Sequence, residues 1–129
     1  MILLDTHVLI WMSSDPHRLS KKAREAIRAA RAKTGIAVAS ITLWELAWAT
    51  ENHRIVVSGS VESFVRETIS RVITREMTPE IVALAVRLPL GFPKDPADRL
   101  IASTAIVHGI PLVTADDHIR HSKVVQTIW

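Results

Sequence analysis

The chain has 129 residues, 48% of them hydrophobic and 22% charged, which excludes a disordered or fibrous protein and suits one packed domain over residues 1–129. It has no cysteine, so disulfides, thiolate metal sites and cysteine nucleophiles are excluded. The net charge of +3 is unevenly spread: Arg18, Lys21, Lys22, Arg24, Arg28, Arg31 and Lys33 face the single acid Glu25 across that stretch.

In chain order, Ile2-Leu3-Leu4 reads as a buried strand, followed by a helical pattern over Thr6–Met12 that breaks near Asp15-Pro16. Ser20 is placed to cap the basic helix and Gly35 to end it. The lysines and arginines of that helix form a stripe that either attracts a phosphate backbone or is simply a solvated face. Ile36–Ala39 is a second buried strand, and a helix beginning near Thr42 carries Trp44, Glu45 and Trp48. Ser60 caps an amphipathic helix through Ile69 that leads to a short strand near Val72-Ile73. Thr78-Pro79 opens the next helix, which stops before Pro89. Asp95-Pro96 opens another, ended by Gly109, and Leu112-Val113-Thr114 forms a strand. Val124-Val125 is the expected final edge strand. No apolar run approaches the ~20 residues of a membrane helix, and Met1 leads into Ile2-Leu3-Leu4 without a signal-peptide pattern, so a cytoplasmic protein is expected.

Strands alternating with helices predict an α/β fold built on a parallel sheet. In such a sheet every strand's carboxyl end and the helix start after it lie on one edge, where ligands bind. Asp5 follows the first strand, Glu45 and Asp98 lie in first helical turns, and Asp116 comes two residues after the strand ending at Thr114. Each acid also has a structural explanation. Asp95-Pro96-Ala97-Asp98 is a good helix start, Thr42-Leu43-Trp44-Glu45 matches a capping box, Thr114-Ala115-Asp116-Asp117 approximates one, and Asp5 can cap the next helix. Asp98 joins the other three on the assumption that its helix starts at the same edge; together the four say more, because like charges crowded on one edge cost stability that a divalent cation relieves. Carboxylates without His or Cys partners favour Mg²⁺ or Mn²⁺ over zinc, and the matching chemistry is phosphodiester hydrolysis.

At these residues the sequence resembles the PIN-domain ribonucleases, in particular the VapC-type toxins of toxin–antitoxin pairs. The resemblance rests on Leu3-Leu4-Asp5-Thr6-His7, Ser40-Ile41-Thr42-Leu43-Trp44-Glu45, Asp95-Pro96-Ala97-Asp98-Arg99-Leu100-Ile101-Ala102 and Pro111-Leu112-Val113-Thr114-Ala115-Asp116. It implies a PIN-like three-layer α/β/α sandwich with a mainly parallel central sheet, and a Mg²⁺- or Mn²⁺-dependent endoribonuclease. The implied partners are an RNA substrate, a cognate antitoxin protein and a second copy of the chain in a homodimer. Asp5, Glu45, Asp98 and Asp116 form the implied acidic quartet. Asp5 and Asp98 are the foremost implied metal ligands and Asp116 a third, with Glu45 and Asp116 completing the pocket or positioning water. Thr6, Ser40 and Thr114 are implied as supporting hydroxyls, and Arg99 as a contact to phosphate or antitoxin. Asp95 and Asp117, beside two of these acids, compete with them for the same assignments.

A non-catalytic PIN-like binding module is the alternative. A receiver-like signalling domain fits poorly, because it needs an acidic pair after the first strand, where only Asp5 stands. His118 and His121 share a metal-binding spacing but lack a third soft ligand. His7 has the choice of orienting a carboxylate or sitting at the core edge. Trp44 and Trp48, four residues apart, are read chiefly as packing residues, and otherwise as an apolar groove for an antitoxin helix or a stacking surface for a base.

Overall fold

In the computed structural model, which describes residues 1–129, five strands form one sheet: β1 (Ile2–Leu4), β2 (Ile36–Ala39), β3 (Ile73–Arg75), β4 (Leu112–Val113) and β5 (Thr127–Ile128). Their spatial order is β3-β2-β1-β4-β5, and every neighbouring pair is parallel. β1 is central, with Leu3 registered against Ala37 on one side and Leu112 on the other. The central strands are apolar throughout because helices cover both faces.

The connections supply those covers. Helices α1 (Thr6–Ser14) and α2 (Lys21–Lys33) join β1 to β2, and α3 (Ile41–Glu51) and α4 (Val61–Ile69) join β2 to β3. Helices α5 (Pro79–Arg87) and α6 (Pro96–His108) lead to β4, and α7 (Asp117–Ser122) to β5. Alternation along the strands divides the core in two. Ile2, Leu4, Ile36, Val38 and Val113 pack with Val8, Leu9, Ile27 and Leu46. Leu3, Ala37, Ala39 and Leu112 pack with Phe92, Ile101, Ala105 and Ile119 on the other face. The result is the three-layer sandwich that the resemblance implies. Because successive strands step from β1 to β3 in one direction and β4 starts on the other side, the switch point of the sheet lies between β1 and β4.

Local chemistry accounts for most element ends. The Ser20, Ser60 and Thr78 hydroxyls accept the N–H groups of Ala23, Ser63 and Ile81. Gly35 closes α2 at φ +94°, donating its N–H to the Ala30 carbonyl at 2.7 Å.

Two expectations are corrected here. The last strand is Thr127–Ile128, not Val124-Val125. Lys123, in the left-handed region at φ 55°, turns the chain after α7, so that Val125 is buried among Leu112, Ile119 and Phe92 before the ladder begins. The capping box at Thr42 is also absent: α3 begins at Ile41 with Ser40 at its N-cap position, which leaves Thr42 inside the first turn. No helix is long and apolar enough to cross a membrane.

Candidate active site

Asp5 ends β1 at the switch point, and its backbone N–H still donates to Val113 of β4 at 3.0 Å. Its buried carboxylate caps α1, Oδ1 accepting the Thr6 N–H at 2.7 Å. Oδ2 accepts the Thr114 hydroxyl, also at 2.7 Å. Thr114 is fully buried just past β4 and uses the same oxygen to accept the Asp116 N–H at 3.1 Å. Asp116 in turn caps α7 through the Ile119 N–H at 3.0 Å. Asp5, Thr114 and Asp116 are thus linked across the two central strands.

The second group comes from α1 and α3. The Thr6 hydroxyl donates to Oε1 of Glu45 at 2.6 Å and lies 3.0 Å from the Thr42 hydroxyl. Asp98 occupies the first turn of α6, whose N-cap Asp95 accepts the N–H groups of Ala97 at 2.8 Å and Asp98 at 3.4 Å.

Burial and mutual repulsion act on all three acids with displaced pKa values. Burial raises the Asp5 carboxyl above its ordinary range, opposed by the Thr114 hydrogen bond. Glu45 is raised by burial and by the charges of Asp5 and Asp95, against the hydrogen bond from Thr6. Asp98 is pushed up to about 7, first by burial and then by Asp95, Asp5, Asp116 and Glu45. The charges of all four carboxylates act on Asp98, as expected if α6 begins at the edge where β1 and β4 end. Perturbation of this kind, from burial plus specific like charges, clusters at functional sites.

No three His, Asp or Glu side chains converge on one point closely enough to hold an ion directly. An all-oxygen edge of repelling carboxylates, several of whose oxygens are already engaged by hydroxyl and N–H donors, fits a hydrated Mg²⁺- or Mn²⁺-type ion. Such an ion is held through one or two carboxylates and keeps its own waters.

The other candidate residues lie elsewhere or play different parts. The Ser40 hydroxyl bonds to none of these acids, and only its backbone joins the sheet, donating to the Arg75 carbonyl at 2.9 Å. Arg99 turns away from the carboxylates. Its Nη1 donates to the carbonyls of Ala85 and Leu88 at 3.1 and 3.2 Å, closing the end of α5. Exposed His118 and His121 form no ligand cluster. The packing read for Trp44 and Trp48 gives way to exposure: they are 58% and 42% exposed, and Trp44 lines a groove of about 520 Å³ with Leu43, Ala47, Val61, Val65 and Ile69, rimmed by Glu62 and Arg66. Thr42 is the site residue that sequence reasoning missed, because its T-x-x-E spacing reads as a cap.

The open parallel sheet of order 3-2-1-4-5 carries its carboxylates at the switch edge, and the chain belongs to the PIN domain family, whose profile matches residues 2–124. Among individual proteins it is similar to Ribonuclease VapC22 of Mycobacterium tuberculosis (strain ATCC 25618 / H37Rv). The two are 46% identical over 131 residues, covering 99% of this chain and 98% of that protein. The fold also matches VapBC2 from Rickettsia felis, solved bound to a promoter DNA fragment, at TM-score 0.71 and 20% identity over 98% of this chain and 97% of that one. It matches DNA-bound VapBC from Salmonella typhimurium at TM-score 0.72 and 21% identity over the same shares.

Proposed function

We propose that the chain is a metal-dependent endoribonuclease that hydrolyses RNA phosphodiester bonds, the toxin of a type II toxin–antitoxin pair. The observation that carries the chemistry is the gathering around Asp98 of Asp5, Glu45, Asp95 and Asp116 from separate elements; burial first, and then these charges, push its carboxyl up to about 7. The choice of RNA is supported by the 46% identity to a protein named a ribonuclease over nearly its whole length.

Asp5, Asp98 and Asp116 would hold Mg²⁺ or Mn²⁺, one or two of them directly and the rest through the ion's own waters. When bound, the ion supplies Lewis-acid stabilisation of charge on the scissile phosphate and makes water a better nucleophile. The chain's own residues prepare that edge. Thr114 keeps Asp5 oriented across the β1–β4 junction, the Asp95 cap fixes the first turn that carries Asp98, and Thr6 holds Glu45 ready to orient water or accept its proton. An edge this acidic repels RNA, so affinity must come from elsewhere on the surface. Lys21, Arg24, Arg28 and Arg31 follow one exposed face of α2, flanking the buried Ala23, Ile27 and Ala30. None of them is ion-paired; the pairs are Arg66–Glu62 and Arg120–Asp117. This face suits a phosphate backbone. The antitoxin belongs to the same proposal, and the exposed Trp44–Trp48 pair beside its apolar groove supports a protein partner there.

The test is cleavage of a mixed RNA pool by the partner-free protein in EDTA, Mg²⁺ or Mn²⁺, beside Asp5→Asn and Asp98→Asn. Cleavage that requires the metal and disappears in both folded variants is the expected result. Wild type and variants equally active would show the acids to be structural, and all equally inert would overturn the reading in favour of a binding module.

A further inference from the structure

Thr42 is fully buried, yet it makes none of the hydrogen bonds usual for a helical threonine. Thr50, Thr68 and Thr104 each donate to a carbonyl three or four residues earlier in their own helix, at 2.7, 2.7 and 2.6 Å. The Thr42 hydroxyl instead reaches out of α3 to the Thr6 hydroxyl at the start of α1, 3.0 Å away. Three residues on, and so on the same face of α3, Glu45 meets the same Thr6 oxygen at 2.6 Å.

The direction of this chain follows from counting protons. A hydroxyl has one proton to give, and an ionised carboxylate can only accept. The 2.6 Å contact lies in the range of charge-assisted O–H···O⁻ bonds, so the Thr6 proton goes to Glu45. The proton between the two threonines must therefore come from Thr42. The bonds run Thr42 to Thr6 to Glu45, each polarising the next. Without the first donor, the Thr6 hydroxyl loses the contact that fixes its torsion and is freer to turn from Glu45.

We infer that Thr42 is a positioning residue for the reaction, holding the Thr6 hydroxyl as a donor and through it the Glu45 carboxylate. This rests on the ribonuclease reading of the site, which the Asp5→Asn control tests separately. If wild type shows no metal-dependent cleavage, or Asp5→Asn cleaves as well as wild type, that reading has failed. In that case the spectroscopic arm below still tests the hydrogen-bond chain.

Thr42→Val keeps the shape and removes the hydroxyl; Thr42→Ser keeps the hydroxyl and removes a methyl group. The two separate orientation from packing, since loss of buried volume is what destabilises a core. Single-turnover RNA cleavage is measured for both, with the Glu45 side-chain carboxyl ¹³C resonance of the metal-free proteins at one neutral pH. The expected result is a loss of about 10- to 100-fold in rate for Thr42→Val with a displaced Glu45 resonance. Thr42→Ser returns both close to wild type despite its lost methyl. Thr42→Val cleaving at the wild-type rate with an unmoved resonance would overturn the inference. So would Thr42→Ser behaving like Thr42→Val, because packing would then be the whole role. Should Thr42→Val not fold, the Thr42→Ser arm decides alone, against Thr42→Ala as the variant lacking both groups.

Discussion

The carboxylate of Asp5 and the hydroxyl of Thr114 meet at 2.7 Å across the junction of β1 and β4, the one place in the sheet where chain progression reverses. A donor is needed there because Asp5 is 6% exposed, and a buried carboxylate lacking hydrogen bonds is costly. Thr114→Val removes the donor while keeping the shape, and it also strips the Asp116 N–H of its acceptor. The variant is expected to lose about 1–3 kcal/mol. Urea unfolding measures that loss, and RNA cleavage falls in parallel because Asp5 and Asp116 both lose their restraint.

Asp98 gives the metal-free protein a particular pH dependence. Its carboxyl titrates at about 7 in the fold and near the ordinary 3.8 in the unfolded chain. Between those values the folded state binds the extra proton, so stability falls as pH rises through the window. Asp98→Asn removes that loss. The metal-free variant should exceed wild type at about pH 8 by roughly 1 kcal/mol, allowing for solvent screening of a half-buried group, and by much less at about pH 4. Millimolar Mg²⁺ raises the melting temperature of wild type and leaves Asp98→Asn nearly unmoved. Melting curves at the two pH values, with and without the ion, check both statements.

Arg99 stands beside Asp98 in sequence but ties α6 to the end of α5 through the Ala85 and Leu88 carbonyls. Arg99→Met is therefore expected to lower stability by about 1–3 kcal/mol, the range for stranding buried acceptors. RNA affinity and its salt dependence stay at wild-type values, because no phosphate contact is lost. Chemical denaturation and fluorescence-anisotropy binding in EDTA measure the two effects separately.

Trp44 and Trp48, with ring centroids 6.3 Å apart, keep much of their surface in water. Trp44→Ala should change the stability of the free chain by less than about 1 kcal/mol. In a complex with the proposed antitoxin the same substitution should cost 2 kcal/mol or more, roughly a thirtyfold loss of affinity, as central aromatic anchors do. Titration calorimetry with the purified antitoxin distinguishes this from a tryptophan that merely packs.

Local patterns carried most of the architecture and pointed to Asp5, Glu45 and Asp116 at the strand ends, while Asp98 had to be assumed to reach the same edge. Ile2–Leu4 and Ile36–Ala39 are legible because strands buried on both faces are apolar without interruption, and Ser20, Ser60 and Thr78 are legible because capping is a local reaction of a side chain with its own helix. What escaped depends on distant partners. Thr42 looks like a cap until α1 brings Thr6 against it, 36 residues away in sequence. Val124-Val125 has stronger strand propensity than Thr127-Ile128, but the left-handed turn at Lys123 spends those valines on the core. Arg99 sits in an acidic motif, and only the position of α5 shows what its guanidinium reaches. Trp44 and Trp48 have the spacing of a packed face, and nothing in that spacing says whether a neighbour covers it.

The Asp5–Thr114 contact also has a place in time. It joins residues 109 apart, so Asp5 leaves the ribosome long before the strand that completes its surroundings. At 5–20 residues per second the interval is roughly 5–20 s, during which the first acid of the quartet is made but the last has yet to be synthesised. A parallel pairing between such distant strands also carries a high loop-closure cost and forms late. Under the proposed function, hydrolytic competence waits for Thr114 and Asp116, so a copy terminated before them is expected to leave RNA uncut.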